Sequence, residues 1–378
     1  MTILSPLPVD PHNPASILPD LEAAIAGHAC FLPLPLADAT RATLLRNTQR
    51  AGEPIDPSIA LVMSTSGSTG TPKGAQLTPA NLVASADATH QVLGGTGQWL
   101  LAMPAHHIAG IQVLVRSLVA GVDPLCMDLS EGFDIPTFAR AAGELDRTGD
   151  RTYTALTPLQ LAKAMDSVAG IDALRTFDAI LVGGAAINPR LRAAAEEMSI
   201  AVVATYGSSE TAGGCVYDGR PIPGAQVRVQ DGRILLGGPT IAHGYRNAPE
   251  HEAFRQPGWF ATSDGGFIDA GTLTVTGRLD NVIDSGGLKL HPEALETEIL
   301  KVEGVEHACV VGVPHPRLGQ AIMAAYTGKA ELGDILEALE DAQLPRWQIP
   351  KDIKRLEQFP TTGPGKIDRR AVARIFGA

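Results

Sequence analysis

The chain has 378 residues, of which 44% are hydrophobic and 19% are charged, as expected for a globular protein with a large core and two or three domains. Its net charge of −11 argues against a nucleic-acid partner, since phosphate backbones need a basic surface. The four scattered cysteines argue against a zinc site or a disulfide framework. With no secretory signal and no apolar run of 18 residues, we expect a cytoplasmic protein without a membrane span.

The first chemically distinctive stretch is segment 64–74, Ser-Thr-Ser-Gly-Ser-Thr-Gly-Thr-Pro-Lys-Gly. The apolar run 59–63 before it predicts a buried strand, and Thr78-Pro79 after it predicts the start of a helix. We therefore expect a loop that joins a strand to a helix. Its glycines, its hydroxyl groups and Lys73 suit the binding of a polyphosphate. It is not a Walker A loop, because no Ser or Thr follows Lys73.

Predicted strands and helices then alternate along the chain. The predicted strands are 99–104, 153–156, 179–182 and 200–204, and the predicted helices are 111–120, 133–149, 158–167 and one that begins at residue 189. This alternation predicts an α/β domain with a largely parallel sheet. Ligands bind at the carboxyl ends of such strands, and the loops that begin at Ser64, Gly183 and Tyr206 each follow a predicted strand.

Two adjacent histidines, His106 and His107, lie between a predicted strand and a predicted helix. Histidine is a common metal ligand, but no third ligand is evident near them in the sequence. We therefore do not predict a metal site at these histidines.

The pattern changes after residue 226. Short strands and turns predict a β subdomain up to about residue 277, and an α+β segment follows it. We place the domain boundary near Leu279. The predicted fold class is thus α/β, with a large N-terminal α/β domain that includes a β subdomain, residues 1–279, and a small mobile C-terminal α+β domain, residues 280–378.

Segment 64–74 resembles the phosphate loop of the adenylate-forming superfamily, which contains acyl-CoA synthetases, adenylation domains and luciferases. Four further stretches match that family's motifs in the expected order: Tyr206-Gly207-Ser208-Ser209-Glu210, 258–264, 277–283 and 360–369. The motifs span most of the chain. The resemblance implies a ligase that uses ATP and Mg²⁺ to join a carboxylate to AMP and then transfers the acyl group to a thiol, usually that of coenzyme A.

The resemblance also implies a role for each matched residue. Glu210 would bind Mg²⁺, and Lys366 would be the catalytic lysine that bridges the carboxylate and the α-phosphate. Asp280 would be the hinge for a rotation that brings Gly286 and Gly287 to the thiol of coenzyme A. The implied ATP-binding residues are Thr65, Ser66, Gly67, Ser68, Thr69, Gly70, Lys73, Gly183, Gly184, Ala185, Tyr206, Gly207, Ser209, Asp264, Arg278 and Lys366.

In the C-terminal motif the chain departs from the family pattern. Pro364 stands where Ser or Asn usually precedes the Gly-Lys pair, and we expect it to stiffen the loop.

The short chain and segment 104–110 look like the o-succinylbenzoate–CoA ligases of menaquinone (vitamin K2) synthesis, whose actinobacterial members are similarly short. His107, also a catalytic candidate, and Gly207 would line the acid pocket. Arg116 is the candidate for binding the second carboxylate of the acid. Arg116 follows His107 by nine residues, about half a turn out of phase on a helix, so a structural role is the alternative.

Other functions remain open at this point. The chain could be a ligase for another aryl or fatty acid, or a stand-alone adenylation domain that loads a carrier protein. A further alternative is an inactive protein that only binds a nucleotide or an acyl group, although the presence of Lys366 and Glu210 counts against it. A homodimer is expected from the family alone.

Overall fold

The computed structural model describes residues 2–65, 71–362 and 366–378, and omits the side chains of Thr362 and Lys366. The chain divides into two compact units. The larger comprises Met1–Ile187, Leu191–Arg228 and Leu235–Ala261, and the smaller comprises Asn188–Arg190, Val229–Ile234 and Thr262–Ala378. No helix among these described residues is long and apolar enough to cross a membrane.

The larger unit begins with a four-stranded sheet in the order β1-β2-β3-β4. Its elements are β1 (Leu4–Val9), α1 (Leu18–Ile25), β2 (Cys30–Pro35), α2 (Ala39–Thr48), β3 (Leu61–Ser64) and β4 (Gly74–Leu77). The first three strands are parallel, whereas β3 and β4 form an antiparallel hairpin. Segment 64–74 is therefore followed by strand β4 before the next helix begins. The sequence did not predict this strand.

The second sheet has seven strands in the order β11-β10-β9-β8-β7-β5-β6. Its strands are β5 (Gln98–Leu101), β6 (Leu125–Cys126), β7 (Thr152–Leu156), β8 (Ala179–Val182), β9 (Val202–Ser208), β10 (Gly213–Tyr217) and β11 (Arg220–Pro221). Strands β5 to β9 are mutually parallel, and β10 and β11 extend the sheet in antiparallel pairing. This arrangement confirms the predicted α/β class.

Six helices accompany this sheet: α3 (Pro79–Val92), α4 (Ile108–Ala120), α5 (Ile135–Asp146), α6 (Pro158–Met165), α7 (Val168–Arg175) and α8 (Pro189–Glu197). Helix α3 begins where the sequence predicts, because Thr78 and Asn81 exchange side-chain and backbone hydrogen bonds in a capping box. Helix α4 ends at Gly121, whose φ of 71° lies in the left-handed region that glycine adopts without strain. Apolar side chains of the sheet and helices, such as Leu100, Phe138 and Ile180, share one core.

A four-stranded sheet follows, in the order β12-β13-β14-β15. Its strands are β12 (Gln226–Gln230), β13 (Arg233–Gly237), β14 (Trp259–Asp269) and β15 (Thr272–Arg278). These correspond to the predicted β subdomain. The division between the two units passes through these strands, because residues 229–234 and 262–278 belong to the smaller unit.

The rest of the smaller unit is a mixed α+β region, as the sequence predicts. Its elements are β16 (Ile283–Ser285), β17 (Leu288–Leu290), α9 (Pro292–Leu300), β18 (Val305–His315), β19 (Gly319–Gly328), α10 (Leu332–Asp341), β20 (Asp352–Arg355), β21 (Thr361–Thr362), β22 (Lys366–Ile367) and α11 (Arg369–Ile375). Strand β19 pairs with β16, β18 and β20 in one sheet. Helix α9 packs its buried Leu295 and Ile299 against this sheet.

Candidate active site

The predicted site loops of the larger unit follow the ends of neighbouring strands. Residues 102–107 follow β5, residues 183–188 follow β8, and a short 3₁₀ helix, Ser209–Thr211, follows β9. Because β5, β7, β8 and β9 are parallel neighbours, these loops emerge at the same edge of the sheet. The chain thus gathers these loops where α/β proteins bind their ligands.

The phosphate-loop candidate closes the β3–β4 hairpin. Ser64 pairs with Gly74, and the backbone N–H of Thr65 donates to the carbonyl of Lys73 at 2.8 Å. The predicted ligands Ser66, Gly67, Ser68, Thr69 and Gly70 lie outside the described residues. The two ends of the loop are thus held together by backbone pairing.

Two side chains that the sequence analysis missed fix the end of this loop. The amide nitrogens of Gln49 and Asn247 both donate to the carbonyl of Pro72, at 2.8 and 2.9 Å. The amide oxygen of Asn247 accepts the backbone N–H of Gly74 at 3.2 Å. Neither residue lies in a recognisable motif, since tertiary packing alone brings them to the loop.

The motif at residues 206–210 lies beside this hairpin. The hydroxyl of Ser209 donates to the carbonyl of Ser64 at 3.4 Å, which joins the end of β9 to the end of β3. A Cβ atom at Gly207 would collide with the carbonyl of Gly213, so the close approach of β10 requires glycine here. Tyr206 is the residue of β9 that precedes this close contact.

Glu210 lies in the 3₁₀ helix, and only 7% of its surface is exposed. The hydroxyl of Tyr245 donates to its carboxylate at 2.6 Å. The ring of Tyr245 contacts the ring of His251 edge-on at 5.0 Å, and the Lys73 ammonium lies 5.1 Å from the centre of the Tyr245 ring. Lys73 Nζ is also 2.8 Å from His251 Nε2. The buried carboxylate and the lysine of the loop therefore share one cluster, which includes two residues that the sequence analysis missed.

The described residues contain no group of three or more His, Cys, Asp and Glu side chains that could hold a metal ion by themselves. Mg²⁺ commonly binds one or two carboxylates and completes its coordination with substrate phosphates and water. A buried Glu210 next to a phosphate-loop lysine fits that mode of binding.

Gly183, Gly184 and Ala185 form the turn after β8. A Cβ atom at Gly183 would collide with the hydroxyl of Thr205 on the neighbouring strand, and Gly184 has a φ of 85°. Gly184 is therefore favoured by its backbone conformation, and Gly183 by the close approach of the Thr205 side chain. This turn lies close to β9 at Thr205, the residue that precedes Tyr206.

His107 is the residue that precedes helix α4, with extended backbone geometry. Its ring lies 4.2 Å from that of His106, measured between ring centres. Burial, followed by the nearby Arg41 guanidinium, lowers the pKa of His106 to about 4. His106 is therefore a neutral imidazole at pH 7.

Arg116 lies nine residues further along α4 than His107, or about 13 Å at 1.5 Å per residue. Only 3% of its surface is exposed. Its guanidinium lies 4.9 Å from the centre of the Trp99 ring and donates to the hydroxyl of Tyr217 at 3.5 Å. Trp99 lies near the start of β5, whereas His107 follows the end of that strand, so these contacts favour a packing role. Acid binding by Arg116 stays a prediction.

The smaller unit contains the remaining predicted residues. Arg278 donates two hydrogen bonds to the carboxylate of Asp280, at 2.6 and 2.8 Å. Its Nε atom lies 3.8 Å from a carboxylate oxygen of Asp264, the residue opposite it on β14. The predicted ribose ligand, nucleotide ligand and hinge residue are thus neighbours within this unit.

Gly286 and Gly287 form the turn between β16 and β17, with φ angles of 66° and 81°. The carboxylate of Asp284 accepts the N–H of Gly287 at 2.9 Å and braces the turn. The backbone of Lys366 lies in β22, but its side chain and residues 363–365, which include Pro364, are outside the described part of the structure.

Known proteins with the same architecture are numerous. The family model for AMP-binding enzymes matches residues 14–246, and the model for their C-terminal domain matches residues 294–366. The chain is 43% identical to the probable 2-succinylbenzoate–CoA ligase of Mycobacterium tuberculosis over 371 residues, which cover 96% of this chain and 95% of that one. It is 32% identical to the 2-succinylbenzoate–CoA ligase of Enterococcus faecalis, over 82% of this chain and 68% of the relative.

Solved structures agree on the fold. The o-succinylbenzoate CoA synthetase of Bacillus subtilis, in complex with the acyl-adenylate OSB-AMP, has a TM-score of 0.83 at 21% identity, over 98% of this chain and 88% of that one. ATP-bound MatB from Rhodopseudomonas palustris has a TM-score of 0.86 at 20% identity, over 100% and 89%. The matched models and the 43% identity to a full-length relative show that this chain belongs to the AMP-binding, adenylate-forming enzyme family.

Proposed function

We propose that this protein is an o-succinylbenzoate–CoA ligase (2-succinylbenzoate–CoA ligase). It activates the acid with ATP, releases pyrophosphate, and transfers the acyl group to coenzyme A with release of AMP. The observation that carries this proposal is the 43% identity to a ligase of that name over nearly the whole of both chains. The reaction would serve menaquinone synthesis.

In the first half-reaction, the residues of the larger unit position ATP. The loop from Thr65 to Lys73 binds the phosphates that leave, Ser209 contacts the α-phosphate, and the Tyr206 ring stacks on adenine beside the turn 183–185. Glu210 would hold Mg²⁺, and the bound ion would neutralise part of the phosphate charge. The closeness of Lys73 to the Glu210–Tyr245 pair supports this division of roles.

Residues of the smaller unit complete adenylation. Asp264 accepts hydrogen bonds from the ribose hydroxyls, and Arg278 contacts the nucleotide. Lys366 donates to the carboxylate and to the α-phosphate, and so stabilises the charge that develops as the carboxylate oxygen attacks phosphorus. The contacts of Arg278 with Asp264 and Asp280 support a shared role for these three residues.

The second half-reaction uses a different arrangement. The C-terminal domain, residues 280–378, rotates about Asp280 and brings the turn of Gly286 and Gly287 to the thiol of coenzyme A. The two glycines adopt positive φ angles, which supports a turn that can approach a ligand closely.

The acid would lie near His107 and Gly207. Both belong to loops at the carboxyl edge of the parallel strands, which supports a pocket there. His107 would orient the acid. Arg116 is the sequence-based candidate for its second carboxylate, but its contacts with Trp99 and Tyr217 support a packing role. The proposal also includes a cytoplasmic location, which cell fractionation tests, and a homodimer, which light scattering tests. It includes no nucleic-acid partner.

The test of the function is ATP–pyrophosphate exchange with Mg²⁺ across o-succinylbenzoate, benzoates, fatty acids and amino acids. We expect exchange with o-succinylbenzoate alone. Exchange with a different acid would indicate another acyl-CoA ligase. Acyl transfer to a carrier protein in preference to coenzyme A would indicate a stand-alone adenylation domain. ATP binding without exchange for any acid would indicate a binding protein.

A further inference from the structure

His251 belongs to none of the family motifs, yet its side chain directly contacts the lysine of the phosphate loop. Lys73 Nζ lies 2.8 Å from His251 Nε2, and both residues belong to the larger unit. His251 precedes the short 3₁₀ helix Glu252–Phe254, 178 residues after Lys73. Tertiary folding therefore brings these two residues together. The hydrogen bonds of this pair depend on which nitrogen of the His251 ring carries the proton.

The hydrogen bond of the other ring nitrogen, Nδ1, indicates where this proton lies. Nδ1 of His251 accepts the backbone N–H of Ala253 at 3.2 Å and so caps the 3₁₀ helix. A nitrogen that accepts a hydrogen bond carries no proton, so we assign the proton of the neutral ring to Nε2. Burial and the charge of Lys73 lower the pKa of His251, which favours this neutral form.

Lys73 and His251 therefore present two N–H donors to each other. A lysine ammonium has three donors and no acceptor, and Nε2–H of the neutral ring is a donor as well. Two donors held side by side favour a third group whose oxygen atoms accept a hydrogen bond from each of them. An anion with several oxygen acceptors, such as a polyphosphate, has that chemistry.

We propose that His251 donates Nε2–H to the β- and γ-phosphates of ATP, as a second donor beside Lys73. This assignment rests on the proposed function, in which the loop that ends at Lys73 binds the leaving phosphates. It adds a phosphate ligand from outside the loop.

Tyr245 fixes where the two donors lie. Its ring contacts the His251 ring edge-on, at an interplanar angle of 83°, and lies under the Lys73 ammonium. Its hydroxyl donates to Glu210. One buried tyrosine thus joins both phosphate donors to the carboxylate that would hold Mg²⁺.

Two substitutions of His251 separate its proposed role as a phosphate donor from its role as the cap of the 3₁₀ helix. In His251→Asn, the side-chain oxygen replaces Nδ1 as the acceptor for Ala253, but no donor reaches the position of Nε2. In His251→Gln, the amide nitrogen replaces Nε2 as a donor, but the acceptor for Ala253 is lost. The ligands to compare by calorimetry are ATP with Mg²⁺, pyrophosphate with Mg²⁺, and AMP, which lacks the phosphates in question.

We expect His251→Asn to weaken ATP and pyrophosphate binding by about 10- to 100-fold, the usual worth of a hydrogen bond to a charged group, with unchanged affinity for AMP. His251→Gln should bind ATP almost as well as the wild type. The KM for ATP in the exchange assay should follow the same order, with an unchanged KM for the acid.

The opposite order of ATP affinity in the two variants would overturn the proposed role of His251. If His251 only caps the 3₁₀ helix, His251→Asn will bind ATP like the wild type and His251→Gln will be the impaired variant. An equal loss of ATP and AMP affinity in His251→Asn would also overturn it, because it would indicate general damage to the site. A wild type that shows no exchange contradicts the proposed function, whereas normal exchange with an unaffected Asn variant contradicts only the role of His251.

Discussion

The buried ion pair between Arg369 and Glu296 should be the main anchor of the segment that carries Lys366. The Arg369 guanidinium donates two hydrogen bonds to the Glu296 carboxylate, at 2.6 and 2.8 Å, and one to the carbonyl of Val310 at 2.8 Å. Glu296 lies on α9 and is only 8% exposed. Arg369→Met would leave this carboxylate buried without its counter-charge, which typically costs about 3–5 kcal/mol.

The measurement is urea unfolding of the intact chain labelled with 5-fluorotryptophan and followed by ¹⁹F NMR. Trp347 packs against the core of the smaller unit, and Trp99 is fully buried in the larger one, so each signal reports its own unit. With a slope of about 1.5 kcal/mol per molar urea, a loss of 3 kcal/mol lowers the midpoint of the Trp347 transition by about 2 M. The Trp99 midpoint should not change.

The matched control is Lys301→Met, at the C-terminal cap of the same helix. Lys301 forms an exposed ion pair with Glu298 at 2.7 Å, and pairs of that kind contribute about 0.5 kcal/mol or less. If Arg369→Met lowers the Trp347 midpoint no more than Lys301→Met does, the buried ion pair does not anchor this segment.

Three further predictions concern catalysis, pH and packing. Lys366→Ala should abolish adenylate formation but largely spare thioester formation from supplied acyl-adenylate, and equal loss of both half-reactions would contradict its role. Because the pKa of His106 is about 4 in the folded chain and about 6.5 when unfolded, the unfolded chain binds more protons between these values. Stability should therefore fall by about 3 kcal/mol as pH drops from 6.5 to 4, and unfolding curves of His106→Gln should lack this decrease. Arg116→Met should lower the melting temperature with an unchanged KM for o-succinylbenzoate, and the reverse result would support carboxylate binding.

The parts of the fold that could be predicted are those whose pattern is local. Strand β8 has the predicted bounds, because it is a continuous apolar run between clear breaks. Strand β7 begins one residue earlier than predicted, and its threonines and tyrosine are typical of strands. Capping residues fixed the start of α3 in the same way. These signals depend on a few neighbouring residues, so the sequence alone contains them.

Strand β4 was not predicted because Gly-Ala-Gln-Leu has neither alternation nor β-branched residues. It forms a strand because β3 pairs with it across the hairpin. Strands β1 and β2 were also not predicted, because each contains two prolines. In each strand the prolines are two residues apart, so the missing N–H groups face one side, and β2 pairs with β3 only through Phe31, before its prolines.

The site residues likewise divide into those that lie in local sequence motifs and those that only the fold brings to the site. Motifs gave Lys73 and Glu210 as candidates, because each lies in a stretch whose residue types suit phosphate or Mg²⁺. Gln49, Tyr245 and His251 were missed, since ordinary residues acquire a role only when packing brings them to the loop. For Arg116, the nine-residue spacing from His107 could be read from the sequence, whereas the contacts with Trp99 and Tyr217 could not.

The most direct test of the central claim is product analysis with purified protein, ATP, Mg²⁺, coenzyme A and o-succinylbenzoate. We expect o-succinylbenzoyl-CoA by mass spectrometry, with one AMP and one pyrophosphate formed per thioester and no ADP. Formation of ADP, or thioester formation with other acids but not with o-succinylbenzoate, would contradict the claim.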